Sequence, residues 1–264
     1  MIGHPAVINS LRWSPANLMH NQLMEISAND WLAVSLIGAL HAGEVEKLEG
    51  LLRDHPGLAH ARLIDTKQHG RTPLHVATDW PGHFPRVKDS IAALIRAGAD
   101  PNAAMTGTSP QAETPLHWAA SSDDVAALDA LLDGGADIEH PGAVFTNGAA
   151  MSDAVIFAQW KCARRLLERG AKTTITQAAA LGLMDRVVAF FGRETPPTEQ
   201  EVTAALWHGC RGGQQEIAAY LIEKGADRNW VGWDHMTPLD TAIKSGNAEL
   251  VEWMRANGAK TAKG

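Results

Sequence analysis

The chain has 264 residues, a formal net charge of −7 and 45% hydrophobic residues, with acidic and basic side chains interspersed. With no basic block, a nucleic acid is excluded as the expected partner. Two cysteines, Cys162 and Cys210, cannot build a disulfide framework, and neither an 18-residue apolar run nor a basic-then-apolar leader occurs, so the expectation is a cytoplasmic protein without a membrane partner.

Residues 1–28 carry Val7, Leu11, Trp13, Leu18, Leu23, Met24 and Ile26, too apolar for a free arm, and are expected to form a helical cap. From Asn29 or Asp30, a plausible helix cap, the chain reads as two helices that turn at Gly43, with Leu48, Leu51 and Leu52 on the inner side of the second. Thr72-Pro73-Leu74-His75 opens the next pair. Its connection is lengthened by Pro81-Gly82-His83-Phe84-Pro85-Arg86, where two prolines exclude helix. This insertion is expected to be either decoration or one wall of a pocket.

The clearest unit runs from Thr114 to Asp137, TPLHWAASSDDVAALDALLDGGAD. Thr114 can cap a helix and Pro115 suits its first position, where a missing N–H costs nothing. Ala119 and Ala120 thin one face for a neighbouring helix; Val125, Leu128, Leu131 and Leu132 form an apolar stripe on the second helix. Gly134 and Gly135 supply a left-handed stop. Ala149 to Lys172 aligns as a fourth unit and Thr173 to Phe191 as a short fifth, both without the capping Thr-Pro; Thr195-Pro196-Pro197 closes the fifth. Ala204 to Asp227 starts with Trp207-His208-Gly209, and Thr237 to Lys260 returns to pattern with TPLD.

The recurring TPLH, the alanine pair and the Gly-Ala-Asp exits resemble the ankyrin-repeat family, whose period of about 33 residues matches the glycine exits at 135 and 170 and at 225 and 258. The resemblance implies an all-α solenoid of about seven repeats (29–64, 65–104, 108–140, 143–172, 173–197, 198–230 and 231–264) behind the 1–28 cap. It also implies that His75 and His117 are structural, bonding within and between repeats.

The family's concave surface, carried onto this chain, selects His41, His69, Arg71, Asp79, Trp80, Gln111, Phe145, Ile156, Phe157, Arg211, Trp230, Trp233, Asp234 and His235. Nine tryptophans and twelve histidines are many for such a repeat. Aromatic side chains bury large area with few rotors to freeze, which favours a protein partner bound in the groove. The alternative is a small-molecule pocket, binding or catalytic, with His41, His69, Asp79, Asp234 and His235 as acid–base groups. No cofactor is expected. No metal is expected either, because HxH, HExxH and CxxC spacings are missing. Cys162 and Cys210 read as packed thiols, although Cys210 stands near His208.

Overall fold

The computed structural model describes residues 24–107 and 112–263, which fold into consecutive antiparallel helix pairs. The pairs are α1 (Trp31–Ala42) with α2 (Val45–Asp54), α3 (Pro73–Ala77) with α4 (Val87–Arg96), α5 (Pro115–Ser121) with α6 (Val125–Asp133), and α7 (Ala150–Ile156) with α8 (Trp160–Glu168). They continue as α9 (Ile175–Ala180) with α10 (Met184–Phe191), α11 (Glu199–Arg211) with α12 (Gln215–Glu223), and α13 (Pro238–Ser245) with α14 (Ala248–Ala256). The first helices carry the most deeply buried faces, because each lies between its neighbours' first helices and its own partner.

Capping fixes where most first helices begin. The Thr72 hydroxyl accepts the His75 N–H (3.3 Å), and His75 Nδ1 accepts the Thr72 N–H (3.3 Å). Asp240 takes over this reciprocal role in the last pair, accepting both the N–H and the hydroxyl of Thr237 at 2.9 Å. The expectation that the fifth pair lacks a cap is corrected: Thr174 and Gln177 form a reciprocal cap, the Gln177 amide oxygen accepting the Thr174 N–H at 2.8 Å. The fourth pair, starting at Ala149, has no side-chain cap. α11 begins at Glu199, earlier than the apolar pattern places it, because Thr198 and Glu201 form a capping box after Pro197. At the third exit Gly135 adopts the left-handed conformation (φ +94°) while Gly134 does not.

The motif histidines join successive pairs. With Nδ1 occupied by threonine, Nε2 of His75 pairs with the Glu113 carbonyl (3.1 Å) and Nε2 of His117 with the Gly148 carbonyl (3.2 Å). Burial pushes these imidazoles down to about 3 and about 4, so they stay neutral, with one nitrogen accepting and the other donating.

The apolar interior falls into two clusters. One extends from α1 to α8 and reaches Ala180; the other spans α9 to α14, from Ile175 to Ala259. α9 touches both, and only Val187 of α10 is buried.

Two sequence expectations change. The described end of the anticipated helical cap is a strand, β1 (Glu25–Ser27), in parallel register with β2 (Arg62–Ile64), which pairs antiparallel with β3 (Gly70–Arg71). The Met24 carbonyl accepts the Arg62 N–H (2.7 Å), so unpaired strand backbone, rather than an apolar helix face, orders this segment. Residues 1–23 lie outside the described residues.

The 81–86 insertion, entered through a cis Trp80–Pro81 bond, lies against the inter-helix turns of both neighbouring pairs. Phe84 stacks on His41 of α1. The His83 N–H donates to the Asp124 carboxylate (2.6 Å), and Arg86 bridges Glu46 of α2 and Asp89 of α4. Elsewhere the same turns are stitched by amide side chains: Gln159 donates to the Ser121 carbonyl (3.0 Å) and Asn247 to the Gly213 carbonyl (2.9 Å).

Candidate functional site

First helices and the fingers that precede them line one surface of the stack. Between the fourth and seventh pairs it holds a recess of about 460 Å³. Phe145 and Thr146 come from the finger before α7, Ile156 from the end of α7, and Thr176 from α9. Trp207, His208 and Arg211 come from α11, and Trp233 and Asp234 from the last finger. The lining therefore draws on helices that belong to both interior clusters, α7 to the first, α11 to the second and α9 to both. Recesses at the β1 edge, between the outer helices and below the last finger contain no Trp, Tyr or Phe.

Trp207 anchors the far wall. It is almost fully buried, and its indole N–H donates to the Met236 carbonyl at 3.0 Å, fixing the last finger against α11. Trp233 packs edge-on against Trp207 (centroids 5.4 Å apart) and against Trp230 (5.2 Å), yet remains 53% exposed. Across the recess Phe145 is 70% exposed and Phe157 41%, their rings 6.0 Å apart. Large apolar rings left in water around a concavity are the unusual feature of this surface.

Besides Thr146, Thr176 and Asp234, two polar residues of α11 line the recess. His208 is 8% exposed, its Nδ1 has no hydrogen-bond partner among the described residues, and burial pushes it down to about 4, with nearby Arg211 adding to the effect. Arg211, four residues beyond Trp207 and so on the same helix face, holds its guanidinium carbon 5.5 Å from the Trp207 ring centroid. Cys210 points into the core, where burial pushes its thiol up to about 12; it is a packed thiol, as is the buried Cys162.

Of the residues the sequence singles out, the structure gathers Phe145, Ile156, Phe157, Arg211, Trp230, Trp233 and Asp234 at or beside this recess. His235, exposed, follows in the last finger. His41 faces Phe84 at the first inter-helix turn. His69 sits in the second finger with Nδ1 3.3 Å from the Asp65 carboxylate, and Arg71 forms an ion pair with Asp79. Trp80 is 82% exposed beside the insertion. The five proposed acid–base residues thus lie in separate parts of the stack, with Asp234 and His235 five pairs from His69 and Asp79. The insertion contributes no residue to the recess. Gln111 lies outside the described residues. Thr146 and Thr176 escape the sequence reading, and His208 enters it only as a neighbour of Cys210; the departure Trp207-His208-Gly209 carries the signal, since it puts a large ring and an imidazole on the first helix of a pair.

Paired helices, fingers and histidine-linked turns define a helical repeat stack, and three sequence comparisons identify the repeat. A model of the ankyrin repeat matches residues 69–105, a second ankyrin-repeat model matches 112–140, and a model of ankyrin repeats in three copies matches 175–263. Together they cover more than half of the chain, which belongs to the ankyrin-repeat family. A curated relative, "Ankyrin repeat and KH domain-containing protein mask-1" of Caenorhabditis elegans, is 39% identical over 56 residues, 21% of this chain and 2% of that protein. The chain therefore spans only a small fraction of that relative's length. Among the described residues no helix is long and apolar enough to cross a membrane, and no three His, Cys, Asp or Glu side chains come together as a metal-ligand set.

Proposed function

We propose that this chain recognises a partner protein through the concave aromatic face of its fourth to seventh helix pairs. Ankyrin repeats are typically protein–protein interaction modules. The observation that carries the reading to this face is the set of exposed rings, Phe145, Phe157 and Trp233, around a recess their own chain leaves unfilled. Trp207 holds the last finger in place, so Trp233 is presented already ordered and the partner bears most of the entropy loss on docking. Trp80 is a separate contact in the same reading, on the second pair, with the Arg71–Asp79 ion pair beside it.

Affinity capture from the native host with four baits tests this. Wild type and Val188→Ala, an exposed position on the outer helix α10, should retain the same protein. Trp233→Ala and Phe145→Ala should each weaken its binding by about 2 kcal/mol. A protein retained equally by all four baits places the interface elsewhere.

A further inference from the structure

The recess contains a cation that no described acceptor contacts directly, although the Asp234 carboxylate lines the same recess. Arg211 is half-buried, and among the described residues it makes no hydrogen bond and no ion pair. Burial lowers its pKa, so its charge is short of water; Asp234 opposes that shift through space from an exposed position at the rim. Other arginines of comparable burial each hold at least one acceptor, Arg71 the Asp79 carboxylate, Arg169 those of Asp129 and Asp133, and Arg62 the Ala104 carbonyl, although Nε of Arg62 and of Arg71 stays unpaired. His208 beside it leaves a buried ring nitrogen unpaired.

These groups select among ligands. A second cation is disfavoured, because Arg211 already occupies a face of Trp207. A wholly apolar group would strip further water from the guanidinium and return nothing. A carboxylate on a short apolar stem satisfies both halves of the site: its oxygens accept from the planar guanidinium, while its methylenes lie against Trp207, Trp233 and Phe145. Resting on the protein-recognition reading above, we infer that this recess receives a glutamate side chain from an extended segment of the partner, with an apolar neighbour of that glutamate against Trp233.

A bead library of amidated octapeptides, which carry no terminal carboxylate, tests the inference on the full chain. Wild type should enrich peptides with glutamate next to an aliphatic or aromatic residue. Replacing that glutamate by glutamine should weaken binding to wild type at least tenfold but change binding to Arg211→Gln less than twofold. Arg211→Lys, which keeps the charge and loses the fork, should fall between them and serves if Arg211→Gln does not fold. Enriched peptides that lack an acidic residue, bind Arg211→Gln as well as wild type and are lost with Trp233→Ala would overturn the carboxylate inference and leave protein recognition standing. Enrichment only from a parallel library with free C-termini makes the occupant a chain terminus and overturns the glutamate assignment. If neither library yields a binder, the protein-recognition reading itself falls.

Discussion

Phe84 lies flat on His41, ring centroids 4.2 Å apart and planes inclined by 14°, so a residue of the 81–86 insertion closes the inter-helix end of the first pair. Gly43 completes the contact: its φ is +67°, and a side chain there would collide with the Pro85 backbone. The insertion is thus a clamp between the first and third pairs. Phe84→Ala should cost about 1–2 kcal/mol by losing a half-buried ring and its stacking. Gly43→Ala should cost more than an ordinary glycine replacement, through left-handed strain plus displacement of Pro85. Urea unfolding measures both; midpoints within error of wild type would show that the insertion is decoration.

Acid should destabilise the stack in a window set by its neutral histidines. His75, His117 and His208 are pushed by burial to about 3, 4 and 4 in the native chain, against 6.5 as the ordinary value. Between pH 6.5 and about 4 the unfolded chain therefore binds protons that the native chain refuses, and stability falls as pH falls. Each histidine contributes a slope of up to about 1.4 kcal/mol per pH unit. His208→Gln removes one of them without touching the two that join the fingers. Stability curves from pH 7 to 4.5 should be shallower for this variant by about that slope; parallel curves would mean that His208 is charged in the native state.

Asp153 acts in the opposite sense. It sits on α7 with no exposed surface, and burial, reinforced by the Glu113 carboxylate, pushes it up to about 7 from an ordinary 3.8. Over that interval the native chain keeps a proton that the unfolded chain gives up, so this residue's contribution falls as pH rises. Asp153→Asn should gain on the order of 2 kcal/mol or more at pH 8, a gain that falls by more than half by pH 5 and vanishes only below about pH 4. Thermal melts at the two pH values decide it: an equal effect at both would assign Asp153 a packing role independent of its charge.

These residues also mark how far the sequence is legible. Threonine caps, alanine pairs and glycine exits answer local backbone needs, so the helix pairs from Thr72 to Asp137 can be read directly. The cap at Thr174 is legible as Thr-x-x-Gln, a capping box without the Thr-Pro that opens the clearest units. Strand β1 could not, since Glu25–Ser27 gains its conformation from Arg62–Ile64, more than thirty residues away. The recess is legible only in parts: Trp233 and Phe145 stand out as aromatic departures in fingers. Their convergence with Arg211 and Thr176 depends on how the two interior clusters meet at α9. The acid–base candidates His41, His69, Asp79, Asp234 and His235 face different neighbours along the stack, a separation that residue types alone do not reveal.

Trp207 and Trp233 touch, yet they should respond to mutation in opposite ways. Trp207 is buried, donates its indole N–H to the Met236 carbonyl, and offers its own carbonyl to the Thr241 hydroxyl at 3.1 Å. Trp207→Phe keeps most of the ring volume but removes one of the two donors to the Met236 carbonyl, which retains the Gly232 N–H at 2.9 Å, a cost of about 1 kcal/mol. The last finger should loosen as a result, with faster amide exchange from Trp230 to Met236. Trp233 makes only ring contacts and is half in water, so Trp233→Ala should move the unfolding midpoint little while impairing partner binding. Measuring exchange, unfolding and binding on both variants separates the tryptophan that builds the recess from the one that uses it. If Trp233→Ala loses as much stability as Trp207→Phe, its ring belongs to the core and the binding face must be sought elsewhere.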